Sequence, residues 1–441
     1  MSELRALVDA GIAAVAPDGA VLRHLRLDGN VLHADGRSWD LSRYERILVL
    51  GAGKGAAPMA AALEGLLGNR ITDGLVIVKY DHGLPLQRIR LAEAAHPVPD
   101  QAGMDAAREI VAIAESATDR DFVICLFTGG ASALTPALCP GVSLKDLQAL
   151  THLLLECGAT IHEINTVRKH LSAFSGGRLV QAASPAPVLG LIVSDVVGDN
   201  LDVIASGPTV PDPSTFGDCA AIMDRFSLWD RLPISIRTRL RDGLEGRADE
   251  TPKADNPVFR QVTTLLVATI SQALEAAAKA AEAGGYASCI LCTDMTGEAR
   301  DRMAELVAGA RQRADALQPG DTPLCLLAGG ETTVTLRGKG LGGRNQEMAL
   351  AATLLLDGDE RIALVCAGTD GTDGPTDAAG GFADGSGAEK ARAMGLDLAA
   401  SLAENDSYHA LDALGALLRT GPTRTNVMDM VIMLVRAGNG R

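Results

Sequence analysis

Residues 46–56 read Arg-Ile-Leu-Val-Leu-Gly-Ala-Gly-Lys-Gly-Ala. The first five form a short apolar run, which predicts a buried strand. The glycines that follow predict a tight turn, and the apolar segment through Leu67 predicts a helix. The same pattern returns along the N-terminal half. Strands are predicted at LVIV (75–78), FVICLF (122–127) and VLGLIV (188–193), and helices at 103–116 and 143–157. Strand, loop and helix in repetition predict a Rossmann-like parallel sheet with helices on both faces. Such sheets hold ligands at the C-terminal ends of their strands. The loops there are Gly-rich: GAGKGA, TGGAS and SDVVGD.

The chain has 441 residues, enough for two or three domains. Residues 243–258 are polar and contain Gly and Pro, so they are the expected boundary. The expected domains are 1–245 and 256–441, the second also α/β and smaller. In it an Ala-rich helix is predicted at 262–283, a strand at 286–292 and a helix at 298–317. Strands at LCLLAG and TVTL, a helix from Arg344 and a strand ending at Cys366 follow. A net charge of −15 and only 3% aromatic residues argue against a nucleic-acid surface. No basic leader opens the sequence, and no apolar run reaches the ~18 residues of a membrane span. Several of the cysteines sit in apolar runs (Cys125, Cys325, Cys366), as packed thiols do. The Cys289/Cys292 pair has no second pair for zinc. A reduced, cytoplasmic protein is expected.

Six motifs could carry chemistry. Lys54 lies among Gly51, Gly53 and Gly55 at a helix start, where it opposes the helix dipole. That predicts a phosphate-binding lysine, with the amides of Gly53 and Gly55 beside it; the alternative is a tight turn with a solvated lysine. The loop also fits Gly-x-Gly-x-x-Ala, a dinucleotide pattern, but the next strand ends in Lys79-Tyr80 and not in a ribose-binding acid. Gly129, Gly130 and Ser132 predict an anion nest, or a plain strand-to-helix turn. Arg168 and Lys169 could grip a carboxylate or phosphate, or form a solvated basic turn. His162 and Glu163 point apart on a helix and make no metal pair. Asp195, just past a strand, suits Mg²⁺ binding or base work better than Asp199 does; a turn-capping role is the alternative. Glu331, Arg344 and Asn345 follow Gly-rich leads that are hard to explain by packing, a flexible surface hairpin being the alternative. Asp373 lies in a Gly-Asp segment that lacks an EF-hand's terminal Glu and reads equally as a turn. Lys54 and Arg344 come from different halves. Two cations meeting in an interdomain cleft would suit a phosphoryl group.

Longer motifs carry a resemblance: GAGKGA (51–56), HPVPD (96–100), TGGASAL (128–134), EINTVRKHLSAFSGGRL (163–179) and SDVVGDNLDVIASGPTVPDPSTF (194–216), then AGGETTVTL (328–336), GGRNQEMALA (342–351), GTDGTDGPTDAAG (368–380), ENDSY (404–408) and TGPTRTNV (420–427). From about residue 5 to 436 the chain resembles the glycerate 2-kinase family, whose C-terminal region is the MOFRL domain. The resemblance implies ATP-dependent phosphorylation of D-glycerate at its 2-hydroxyl, with Mg²⁺, in an interdomain active site. It is compatible with a homodimer. The family's essential Lys and Arg correspond to Lys54 and Arg344. Arg424 and Met428 stand where the family usually has Gly and Asn, so neither is given a binding role. On this reading Lys54 neutralises phosphate charge and Arg344 stabilises the transferred phosphoryl. Asp195 holds Mg²⁺ or positions the hydroxyl, and Arg168 clamps the glycerate carboxylate. Asn345, Glu331 and Asp373 face substrate. The general base is unassigned. The rivals are an NAD(P)H-dependent hydroxypyruvate reductase and a non-catalytic phosphosugar sensor built on the TGGAS nest.

Overall fold

The computed structural model describes residues 1–438. The chain forms two compact units. One comprises Pro17–Ser194 and Asp199–Val267; the other comprises Met1–Ala16, Asp195–Gly198 and the chain from Ala268 onward. The expected contiguous blocks 1–245 and 256–441 therefore do not describe the compact units.

The first unit opens with a three-stranded antiparallel sheet of β1 (Leu25–Asp28), β2 (Val31–Ala34) and β3 (Arg37–Asp40). Its main sheet contains β4 (Arg46–Ala52), β5 (Ile71–Lys79), β6 (Arg90–Ala94), β7 (Asp121–Phe127), β8 (Val188–Val193) and β9 (Val262–Ala268), in the order β6-β5-β4-β7-β8-β9. The pairings from β6 to β8 are parallel, as predicted. Every residue of β7 and β8 is buried, as in a parallel sheet covered on both faces. Register at the centre is pinned by charge. Arg46 and Asp121 are cross-strand partners, joined at 2.9 Å (Nε–Oδ1) and 2.7 Å (Nη2–Oδ2). Arg46 and the Thr118 amide hold Asp121 down at about 2 although burial opposes its charge. A one-residue slip would break this pair and turn the apolar faces over.

Residues 262–268 are a strand and not the start of a helix. The β-branched run Val262-Thr263-Thr264 favours extended backbone. The helix starts at Ile270, behind a Thr269/Gln272 capping box. The chain thus returns to the first sheet after the polar stretch 243–258. Four helices (Leu144–Glu156, Ile161–Leu171, Phe216–Arg225 and Ile234–Leu244) enclose a separate apolar cluster around Leu150, Val167, Phe216 and Met223.

The second unit is built on a mixed sheet. Its strands are β10 (Ala287–Met295), β11 (Leu324–Gly330), β12 (Ile362–Gly368), β13 (Gly380–Asp384), β14 (Leu417–Leu418) and β15 (Asp429–Val435), ordered β10-β11-β15-β12-β13-β14. Only β10–β11 is a parallel pair; the others are antiparallel. β15 is central and wholly buried. The helix Ser2–Ala14 belongs to this unit; Thr425 Oγ1 donates to the Val15 carbonyl at 2.8 Å. The expected TVTL strand does not form. Thr333 makes a single bridge to Glu298, its backbone bonding Gly297 and Ala299 in the loop after β10. All eight cysteines are free thiols. Among the described residues no helix is long and apolar enough to cross a membrane.

Candidate active site

The C-terminal ends of β4 and β7 release the first two motif loops side by side. Gly53 has φ 131°, and a Cβ there would stand 2.2 Å from Thr128 Oγ1. The loop needs glycine to lie against its neighbour. Its amides are used internally: Gly53 N–H donates to the Ile77 carbonyl, Lys54 N–H to Gly129 and Gly55 N–H to Thr128 Oγ1. Pro58, in the first turn of the following helix, has no N–H to offer. The expected phosphate contacts from the Gly53 and Gly55 amides are therefore corrected. These residues shape the loop, and the Lys54 side chain on it is half-buried.

The TGGAS loop is the better anion nest. Gly130 is left-handed (φ 87°), and the amides of Gly129 and Gly130 have no acceptor among the described residues. Ser132 Oγ lies 2.7 Å from Ser206 Oγ. Ser206 sits in a run of left-handed residues, with Ala205 at φ 54°, Ser206 at 59° and Gly207 at 62°. Such backbone costs ~1–2 kcal/mol for each non-glycine residue. It is held by Gly176 and Gly177 N–H bonds to the Ser206 and Gly207 carbonyls. Nothing in the residue types signals this run.

Arg168 does not reach an open site. Its Nη2 donates to the Ser132 carbonyl at 3.0 Å, and it lines a cavity of about 20 Å³ with Ser172, Ser175 and Ser206. That is room for one water and not for glycerate. Burial pushes its pKa down, and no carboxylate pairs with it among the described residues. Its role is to hold the TGGAS turn and lend it positive potential. Lys169 is committed as well, its Nζ lying 2.8 Å from Asp212 and 3.5 Å from Asp202. Asp195 follows β8 directly and is half-buried. Asp199 is left-handed (φ 55°), with Oδ1 buried and unbonded.

In the second unit, helix Arg344–Leu355 begins without a side-chain cap of its own. Asp373 supplies one from a distant loop, accepting from Asn345 N–H (3.1 Å) and Gln346 N–H (2.8 Å). Burial raises the Asp373 pKa. Asp373 and Asn345 are almost wholly buried, at 3% and 1% exposure. They brace the helix start, and Asp373 also lines the cavity beside Arg344. A Cβ on Gly343 would stand 2.4 Å from Asp373 Cγ, and one on Gly342 2.1 Å from Ser407 Oγ. Packing therefore does require these glycines.

Arg344 opens this helix beside two carboxylates. Its Nε lies 2.5 Å from Asp429 Oδ2 and its Nη2 3.2 Å from Asp429 Oδ1, a two-point contact. Glu331, partly exposed, takes Nη1 at 2.7 Å. Asp429 is 1% exposed and opens β15, opposite Gly330 of β11 and Gly368 of β12. Asn345 Nδ2 also donates to it at 2.9 Å. Burial lifts Asp429 to about 6 against the pull of Arg344. Burial likewise works against the Arg344 charge, but Asp429 and Glu331 outweigh it and raise that pKa. The pair is ionic at neutral pH. A cavity of about 470 Å³ beside it is lined by Thr333, Arg344, Asp370, Thr372 and Ser407.

Asp429 and His96 escaped the sequence reading. Asp429 follows a motif without looking reactive, and His96 is one histidine in a Pro-rich turn. Arg424 and Met428, the two departures from the family pattern, both have positive φ (61° and 73°). Gly and Asn tolerate that backbone best, so the family preference there is conformational.

A family profile described as Domain of unknown function (DUF4147) matches residues 3–241, and the MOFRL family profile matches 324–429. The chain is 42% identical to the glycerate 2-kinase of Pyrococcus horikoshii over 99% of its own length and 97% of the relative's. It is 41% identical, over 98% and 94%, to an Agrobacterium vitis protein provisionally named a hydroxypyruvate reductase. The crystal structure of glycerate kinase from Thermotoga maritima superposes with a TM-score of 0.87 at 38% identity, covering 98% of this chain and 99% of that one. With both profiles matched and full-length similarity to named kinases, the chain belongs to the glycerate 2-kinase family, with its DUF4147 and MOFRL regions.

Proposed function

We propose that the protein transfers the γ-phosphoryl of ATP to the 2-hydroxyl of D-glycerate, giving 2-phosphoglycerate. The observation that carries this reading is the near-complete similarity to glycerate kinases. The geometry supports it: one unit offers a lysine beside a free-amide nest, the other an arginine anchored by a buried carboxylate. Lys54 binds and neutralises phosphate oxygens. The nest holds a phosphate through the Gly129 and Gly130 amides. Arg344 meets the charge that spreads over the transferred group. Glu331 satisfies Arg344 until a phosphate replaces it, an exposed pair of this kind being worth ~0–1 kcal/mol.

No group of three or more His, Cys, Asp or Glu forms a metal cluster among the described residues. The donors therefore fit an ion carried in with the nucleotide, since Mg²⁺ takes one or two carboxylates and completes its shell with phosphate oxygens and water. Asp195 is the residue that would hold it. When bound, Mg²⁺ neutralises phosphate charge. The hydroxypyruvate reductase reading is weaker on this geometry. The Gly53 and Gly55 amides are already bonded, and Lys79 stands where an acid would hold a ribose.

Phosphorus NMR of a reaction containing ATP, Mg²⁺ and D-glycerate tests the reading. A 2-phosphoglycerate resonance growing with ADP is expected. Absence of transfer, with NADH oxidised by hydroxypyruvate, would overturn it.

A further inference from the structure

His96 follows β6 at the strand's C-terminal end, the same edge from which the Lys54 and TGGAS loops emerge. Its ring lies against Gly130. A Cβ on Gly130 would stand 3.1 Å from both Cδ2 and Nε2 of His96, and 3.5 Å from Lys54 Cγ. Imidazole and lysine stem therefore flank the anion nest together. The ring is half-buried, yet neither nitrogen has a hydrogen-bond partner among the described residues. The fully buried His170 is different, with its ring nitrogens tied to Thr166 and Glu250.

We infer that His96 is a catalytic residue, the general base that takes the proton of the attacking hydroxyl. The inference rests on the kinase reading above. Burial, then Lys54, Lys79 and His82, hold the imidazole down at about 4, so it is neutral and ready to accept a proton at pH 7. A base that weak suffices for phosphoryl transfer through a loose transition state, where little proton removal precedes bond making. The glycerate O2–Pγ bond forms as the bond from Pγ to the leaving ADP oxygen breaks. The hydroxyl proton passes to a ring nitrogen, and the imidazolium, crowded by Lys54, returns it to solvent. One proton is released per ATP consumed.

The test uses the full chain, saturating Mg-ATP and three proteins: wild type, His96→Gln and His96→Ala. Expected is a kcat loss of ~10²–10⁴ in both variants. The KM for ATP should move little, and imidazole should partly rescue His96→Ala but not His96→Gln. Unchanged melting of His96→Gln separates the effect from misfolding. If both variants keep kcat within about threefold of wild type, or if imidazole leaves His96→Ala unrescued, the inference falls while the kinase reading stands. If the wild type forms no phosphoglycerate, the kinase reading falls and takes this inference with it.

Discussion

Replacing Asp429 by Asn removes one charge while keeping the side chain's shape. In the wild type that carboxylate meets two nitrogens of Arg344, at 2.5 and 3.2 Å, and accepts from Asn345 Nδ2. An amide can offer one oxygen, and its NH₂ would confront either the guanidinium or the Asn345 amide. Breaking a buried pair costs ~3–5 kcal/mol. Arg344 is one-third exposed and keeps Glu331, so the lower end applies. A loss of ~3 kcal/mol corresponds to roughly 6–12 °C in Tm for a unit of ~150–250 residues. The catalytic effect is separate. A guanidinium freed from its two-point anchor loses its aim, and a misplacement of ~1 Å lowers kcat by ~10². The assay is coupled ADP release with D-glycerate, beside a thermal melt. Turnover within about twofold of wild type, in a variant whose Tm has fallen, would refute the idea that Asp429 aims Arg344.

Arg344→Ala should lower kcat ~10³–10⁵, as loss of an arginine finger does, and Lys54→Ala should also abolish efficient turnover; normal rates in either would remove that residue from the chemistry. Activity and stability should part in acid. As pH falls through about 6, Asp429 takes up a proton and Arg344 loses its anchor, so kcat declines. Because that pKa is raised, the folded state gains by taking up this proton between about 6 and ~3.9, so protonation does not lower Tm; Asn differs because its NH₂ sets two donors, where a carboxyl has one, against the Arg344 and Asn345 donors. Asp121, held down at about 2, has the opposite sign: its contribution is present above ~3.9 and is lost as pH falls through about 2. Paired kcat and Tm profiles between pH 4 and 8 check the first, and Tm followed from pH 5 down to 2 checks the second. Gly343→Ala should push Asp373 off the helix start and destabilise by ~1–3 kcal/mol, read by denaturant titration.

The strands were legible where a run was short, apolar and followed by a Gly turn, as at Ile47–Leu50 and Phe122–Phe127. Their burial on both faces leaves a continuous signal. Val262–Ala268 was lost because it abuts an Ala-rich helix and the capping box at Thr269 divides them by one residue. The glycines before Arg344 misled, since the need they meet is the close approach of Asp373 and the Ser407 side chain, far away in sequence. Lys54 stood out because a cation at a helix start is locally unfavourable, and Arg344 because of the Gly-rich lead before it. Asp429 did not, because a carboxylate at a strand end becomes notable only when a distant arginine is seen to meet it. That Asp373 and Asn345 also brace the helix start was not legible, because the cap comes from a loop distant in sequence.

The central place of β15 bears on how the polypeptide assembles. The first unit is complete by Val267 and can fold while synthesis continues. In the second, β11 and β12 have no partner between them until Asp429–Val435 has emerged from the ribosome, and the helix Ser2–Ala14 waits from the beginning for the same event. Removing those seven residues should therefore leave one half native and the other a collapsed, chaperone-dependent intermediate. The residue that aims Arg344 arrives with the segment that closes the sheet, so this half gains its reactive geometry in the step that completes its fold.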